Sequence, residues 1–295
     1  MELQKKVLIF GGDKDFNIIR LIKHCFSQDI PAEIVLIGKT GVPSVRYDFP
    51  NNDLLIDNKK INVSSAFIRY DVFEYLESND DNDQVIASNW HELLTGWLLA
   101  NPHIKIFNRN FSKKSEANKF KTLLIAKSLD IKIPETHITN NYEFLQTLPQ
   151  AQEYIYKPFM GGAYTQIFDR AKLDKFNVKL YDYPLIVQEK LIMPELRVFR
   201  IDNKCFGFLV NSDYLDYRLD KNAKLELVEL KPAMQEQVIK LTDELGLNFS
   251  ALDFKTCPKT GEFLLLEANS SPMFAGFDQV ADGKLIKAML DYLAS

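Results

Sequence analysis

The stretch Ala251-Leu252-Asp253-Phe254-Lys255-Thr256-Cys257-Pro258-Lys259-Thr260-Gly261-Glu262-Phe263-Leu264-Leu265-Leu266-Glu267-Ala268-Asn269 reads as two apolar strands around a turn. Pro258 and Gly261 punctuate that turn, which centres near residues 259–260. Side chains alternate along a strand, so Glu267 and Asn269 point the same way. Folding about the turn sets Asp253 opposite position 266 or 267. In the second register Asp253 and Glu267 lie side by side, with Asn269 next along the same face. Two carboxylates that close repel unless a cation sits between them. Oxygen ligands suit Mg²⁺, which keeps some waters and takes its remaining ligands from phosphate. The alternative is a sheet edge carrying ordinary exposed acids.

Outside the hairpin, the basic residues supply the complementary charge. Lys119 opens a helix over 115–129, in which Ala117, Phe120 and Leu124 share one face. Pro134 disfavours helix just before it and closes the stretch Ile131-Lys132-Ile133-Pro134. Lys157 ends a strand as Tyr156-Lys157-Pro158, directly before Met160-Gly161-Gly162-Ala163. A solvated lysine there, followed by a glycine-containing loop, makes a phosphate cradle of ammonium charge and backbone donors. A surface lysine before a turn is the plainer reading. Arg197 lies within an apolar strand, where it either pairs with an anion or faces solvent. Arg218 sits in the loop segment Asp216-Tyr217-Arg218-Leu219-Asp220, where a salt bridge would account for it.

The remaining segments set the fold class. Apolar runs predict strands at 154–156, 185–188, 196–201, 205–210, 249–254 and 262–268, with Asp202-Asn203-Lys204 as a tight turn. Helical periodicity predicts helices at 234–245 and 284–293. Up to about Pro102, strands at 6–10, 34–37 and 85–87 alternate with helices at 17–25 and 90–99, the pattern of a parallel α/β sheet. Gly11-Gly12-Asp13 lacks the full glycine spacing of a dinucleotide fingerprint and reads as a strand-to-helix turn.

At 295 residues the chain is long enough for two or three packed units. A formal net charge of −4 argues against a general nucleic-acid binder, which needs a basic field. Cys25, Cys205 and Cys257 form no CxxC pair, and His24, His91, His103 and His137 show no zinc-ligand spacing. The first apolar run, Val7–Phe10, is too short for a signal-peptide core or a membrane span. A cytoplasmic location and no membrane partner are therefore expected; a homo-oligomer is left open.

Taken in order, these pieces resemble the ATP-grasp superfamily, particularly the RimK-type and microviridin-type (graspetide) carboxylate–amine ligases. The resemblance spans about residues 106–295. It runs from Asn118-Lys119 and Ile133-Pro134-Glu135-Thr136, through Tyr156-Lys157-Pro158, Val187-Gln188-Glu189-Lys190 and Glu195-Leu196-Arg197-Val198, to Leu252-Asp253 and Leu266-Glu267-Ala268-Asn269-Ser270-Ser271-Pro272. The glycine loop is short on glycine, and Met273-Phe274-Ala275-Gly276-Phe277-Asp278 departs from the aromatic ending of microviridin ligases. The resemblance implies an N-terminal Rossmann-like, pre-ATP-grasp domain (1–106) followed by a two-part α+β ATP-grasp fold (107–190 and 191–295).

It also implies roles. Lys119, Lys157, Gly161 and Gly162 would hold the ATP phosphates; Gln188, Glu189, Lys190 and Leu191 would surround adenine, and Glu195 the ribose. Arg197 and Arg218 would stabilise the transferring phosphoryl group and the acyl-phosphate. Asp253, Glu267 and Asn269 would ligate one or two Mg²⁺, with Mn²⁺ as a substitute. The implied reaction joins a carboxylate of a peptide or small molecule to an amine. An ATP-grasp kinase and a nucleotide-binding regulatory protein are the alternatives.

Overall fold

The structure, a computed structural model, describes residues 5–38, 41–70, 81–111, 119–150, 152–158, 165–168 and 184–295. It divides into two compact units, Met1–Arg109 with Met273–Ser295, and Asn110–Pro272. The first unit opens with β1 (Val7–Gly12), α1 (Phe16–Ser27) and β2 (Ala32–Ile37), then β3 (Val45–Asp48), β4 (Asp53–Ile56) and β5 (Lys59–Lys60). β6 (Ser65–Ile68), α2 (Asp81–Ala100) and β7 (Lys105–Ile106) follow. The order β2-β1-β6-β7 is parallel throughout, and β3-β4-β5 is a small antiparallel sheet that the sequence reading did not anticipate. All six residues of β1 are buried, as expected for a parallel strand covered on both faces. The strand expected at 85–87 is corrected: these residues lie inside α2. A three-residue apolar run carries no period of its own. The buried Ala87, Trp90, Leu94 and Trp97, three to four apart, reveal the helix.

The second unit begins with α3 (Lys119–Ser128), β8 (Thr136–Thr139), α4 (Tyr142–Thr147), β9 (Tyr154–Pro158), β10 (Gln166–Ile167) and β11 (Leu185–Glu189). β12 (Ile192–Ile201), β13 (Lys204–Asn211), a 3₁₀ turn (Tyr217–Leu219), β14 (Lys224–Val228), α5 (Pro232–Glu244), β15 (Phe249–Thr256) and β16 (Phe263–Asn269) complete it. Its two antiparallel sheets have the orders β10-β9-β11-β8 and β14-β13-β12-β15-β16. Asp202 adopts φ 53° in the two-residue turn joining β12 to β13, a conformation Asp tolerates better than most residues. The apolar face of α3 also needs correction. Phe120 and Leu124 are exposed, whereas Leu123 and Ala126 are buried. Alternation along the five-stranded sheet sends Leu196, Val198, Leu252, Phe254 and Leu265 into a core with Ala126, Val238 and Leu241. The opposite face carries Glu195, Arg197, Asp253 and Lys255 from the same strands.

After Pro272 the chain forms α6 (Ala275–Val280) and α7 (Lys284–Ala294). These helices group with the first unit. Buried polar contacts explain the return. Asp15 caps α1 by accepting from the Asn17 backbone amide at 2.8 Å, and pairs with Arg69 at 2.7 Å. The Asn17 side-chain oxygen then accepts from the backbone amides of Phe274 at 2.7 Å and Ala275 at 2.8 Å, so a residue of α1 caps the start of α6. Asp278, fully buried, accepts from Arg20 at 2.6 Å and from the Ile286 amide in the first turn of α7 at 2.9 Å. Substituting Asn17→Ala strands two donors at the head of α6. It is expected to lower stability by roughly 2 kcal/mol or more. Urea unfolding should show a lower midpoint with an unchanged slope.

Candidate functional site

The place of Glu267 on the charged face of the five-stranded sheet depends on an irregularity in β16. Asp253 pairs with Glu267, but the next pair is Phe254 with Leu265, so Leu266 is an extra residue in β16. In an unbroken strand Glu267 would share the face of Leu265, which packs in the core. The bulge re-aims it. Leu265 and Ala268 stay with the core, Leu264 and Leu266 pack with Leu191 and Cys257, and Glu267 turns to the face that holds Asp253. Of the two registers open to the hairpin, the structure adopts the one that sets the two carboxylates opposite each other.

The same face collects charge from the neighbouring strand. Arg197 on β12 lies opposite Asp253 and donates from Nη1 to both its oxygens, at 2.8 and 3.1 Å. Arg197 also donates to the Tyr217 hydroxyl at 3.2 Å. Asn269 donates from Nδ2 to Asp253 at 3.0 Å and to Glu267 at 3.4 Å. Lys119 stands 3.6 Å from Glu267. Arg218 is held by Asp216, which accepts from its Nε at 2.9 Å and from its backbone amide at 3.1 Å.

Lys157 corrects one expectation, since it is buried, at 7 % exposure, rather than solvated. Burial pulls its ammonium down to about 8; Glu267 opposes the fall and Lys119 adds to it. Burial likewise pushes the Asp253 carboxyl up to about 7, against the pull of Arg197 and with Glu267 reinforcing the rise. Glu267 is also desolvated, yet Lys157 and Lys119 draw it below the usual carboxylate range. One acid of the pair is thus held ionised by two lysines while its neighbour resists ionisation. A divalent cation would relieve that arrangement. The donor set fits a hard ion: two carboxylates and one amide, which becomes a carbonyl ligand when turned by half a rotation. Among the described residues no group of three His, Cys, Asp or Glu is gathered around one point, so the amide is needed to complete the set.

The segment at the end of β11 forms a second cluster. Gln188 is fully buried, donates to Thr136 Oγ1 at 2.9 Å, and has an Oε1 with no hydrogen-bond partner among the described residues. Glu189 accepts from the Glu135 amide at 3.1 Å, Lys190 pairs with Glu153 at 2.9 Å, and Leu191 is buried beside Cys257 and Leu264. Glu195 is buried and paired with Lys255 at 2.7 Å. Gly161 and Gly162 lie outside the described residues. Sequence reasoning passed over Lys255. The available signal for Lys255 was period two: it stands two residues after Asp253 and therefore on the same face.

No protein-family profile matches the chain, and no characterised protein matches it in sequence. Its fold matches those of solved structures. The ATP-grasp ligase PsnB complexed with minimal precursor, Mg and ADP superposes with a TM-score of 0.76 at 20 % identity, covering 97 % of each chain. The macrocyclase MdnC from Microcystis aeruginosa MRC, bound with precursor peptide MdnA, gives 0.78 at 20 % identity over 98 % of this chain and 99 % of that one. The VanG D-Ala:D-Ser ligase of Enterococcus faecalis gives 0.61 at 15 % identity over 99 % and 98 %. The chain therefore has the mixed α/β fold of ATP-grasp ligases.

The burial of Lys157 carries a stability consequence. Its depressed folded value, against about 10.4 when unfolded, means the unfolded chain binds more protons between those two values. Stability of the ligand-free protein therefore rises with pH across about 8 to 10. Lys157→Met should flatten that rise and increase the melting temperature at pH 7, by an amount worth about 3 kcal/mol at most. Melting curves across pH 7–10 test the assignment, and an unchanged slope in the variant would refute it.

Proposed function

We propose that this chain is an ATP-dependent carboxylate–amine ligase that forms an amide bond through an acyl-phosphate. The observation that carries the reading is the convergence of Asp253, Glu267 and Asn269 with Lys119, Lys157 and Arg197 in one unit. In this reading Asp253, Glu267 and Asn269 would hold Mg²⁺, which would offset the negative charge of the nucleotide phosphates. Lys119, Lys157, Gly161 and Gly162 take the phosphates. The orphaned Gln188 Oε1 supports a nucleotide at the end of β11. A buried acceptor without a donor costs about 1–3 kcal/mol, and an adenine amino group supplies the donor. Glu189, Lys190 and Leu191 line the same segment, and Glu195 contacts the ribose. We read residues 1–106 as a Rossmann-like pre-ATP-grasp domain and 107–190 as the central ATP-grasp part. We read 191–295 as the C-terminal part, of which 273–295 group with the first compact unit.

The charges define the mechanism. A substrate carboxylate attacking the γ-phosphoryl group brings two anions together, and Arg197 and Arg218 offset that repulsion as charge spreads over the transferring oxygens. A guanidinium spans two phosphoryl oxygens, which an ammonium cannot do with the same geometry. The acyl-phosphate then yields to an amine, releasing phosphate. A peptide is the substrate we favour, because PsnB and MdnC are described with precursor peptides. Three free cysteines fit a reducing, cytoplasmic setting, and no described helix is long and apolar enough to cross a membrane.

The deciding experiment measures ADP release against a panel of carboxylate peptides, with and without amines. Release that requires both substrates, with an amide product by mass, is expected. Release with a stable phosphorylated product would make the protein a kinase instead. In parallel, Mg-AMPPNP should raise the melting temperature of the wild type and raise that of Glu267→Gln much less, since the stabilisation a ligand gives falls as its affinity falls. Equal gains would remove Glu267 from the metal site.

A further inference from the structure

We propose that Lys255 is a positioning residue that fixes the Glu195 carboxylate and the Arg218-bearing segment in a single arrangement. This rests on the proposed reading of Glu195 as a nucleotide contact and of Arg218 as a phosphoryl contact. Lys255 lies on the charged face of β15, directly opposite Glu195 on β12. Lys255 is only 6 % exposed, and its ammonium has two partners on different elements. It donates to Glu195 Oε1 at 2.7 Å and to the Leu215 carbonyl at 2.8 Å. Leu215 immediately precedes Asp216, which caps the 3₁₀ turn and grips the Arg218 guanidinium. One nitrogen therefore ties a strand residue to the start of a loop whose next three residues include Arg218.

The surroundings separate this role from simple packing. Along β12 and β15 the face alternates in charge, with Glu195 opposite Lys255 and Arg197 opposite Asp253. On β13, Val210 stands beside Glu195 and Phe208 beside Arg197, both fully buried on that side of the sheet. A sheet that needed only packing at this point could extend that apolar pattern, since buried ion pairs seldom outperform apolar residues of similar volume. The ammonium does what an apolar side chain cannot: it fixes the rotamer of Glu195. Because it engages Oε1, it leaves Oε2 to a hydroxyl donor such as a ribose. Its second bond and the Arg197–Tyr217 contact hold the loop at residues two apart, which sets the reach of Arg218.

The test is a cycle of Glu195→Gln, Lys255→Met and the double variant, with Lys255→Arg as the conservative control. Dissociation constants for Mg-AMPPNP come from calorimetry, and ADP release is measured at saturating Mg-ATP. Lys255→Met should weaken AMPPNP about tenfold, as Glu195→Gln does, and the double variant should be no weaker than either, because both act through one contact. Turnover of the double variant should fall below that of Glu195→Gln alone, reporting the released loop. Lys255→Arg should recover most of the affinity. Should Lys255→Met fail to fold around an unpaired carboxylate, the double variant removes both charges, and its comparison with Glu195→Gln decides the matter. Wild-type affinity in Lys255→Met, or additive losses in the double variant, overturns the proposal. A wild type that fails to bind AMPPNP overturns the nucleotide reading itself, which is a different outcome.

Discussion

The pairing of Asp253 with Glu267 across a bulged hairpin is the constraint on which the second unit depends. One extra residue, Leu266, lets β16 contribute Leu265 and Ala268 to the core while Glu267 and Asn269 face the other way. Removing the irregularity would drive either a carboxylate into the apolar core or leucine out of it. Burying an ionised carboxylate among leucines costs far more than the loss of one ladder bond. The bulge is therefore held by the core as much as by the site. This makes the placement of the acids robust, because shifting them requires repacking against α3 and α5.

Once the acids are fixed, the other charges follow from electrostatic balance. Arg197 compensates Asp253, Lys119 and Lys157 compensate Glu267, and Lys255 compensates Glu195. The balance is incomplete by design of the geometry. Lys157 is buried deeply enough to be driven down, and Asp253 deeply enough to be driven up, so each resists the charge it would carry against a ligand. A bound cation and phosphates would oppose both displacements. The ligand-free protein thus holds destabilised charges where the proposed chemistry needs them, in keeping with the general opposition between site preorganisation and stability.

What could be read from the chain follows from the physics of periodicity. Period two along β12 and β15 separates Leu196, Val198, Leu252 and Phe254 from Arg197 and Asp253. That separation is visible without coordinates because strands carry their own pattern. The bulge was not visible, since Leu264-Leu265-Leu266 offers three apolar residues with nothing to mark which is supernumerary. Symmetric folding of the turn could narrow the partner of Asp253 only to two positions. Lys255 was passed over because lysine is ordinarily a surface residue, and its burial depends on a partner sixty residues earlier. For the same reason Lys157 was expected in solvent. Residues 85–87 failed differently: too short to show a period, they took the β propensity of Val and Ile at face value. The return of α6 and α7 to the first unit depends on Asn17 and on Asp278, single buried polar residues whose partners no local pattern announces.

The two units illustrate different uses of buried polarity. In the first, Asp15, Asn17 and Asp278 spend their oxygens on helix termini and arginines. Each bond is short, and the groups that receive them are backbone amides or guanidinium groups with no plausible chemistry of their own. Such contacts specify which segments meet, because a misplaced partner would leave a buried donor unsatisfied. In the second unit the polar atoms face one another and like charges are kept close: Asp253 beside Glu267, Lys119 beside Lys157. Folding alone gives no reason to assemble like charges in a poorly solvated place. On a face whose reverse side is an ordinary apolar core, the ligand proposed above would account for them by adding opposite charges. Those charges are cationic between the acids and anionic between the lysines, the combination that a metal-bound polyphosphate supplies.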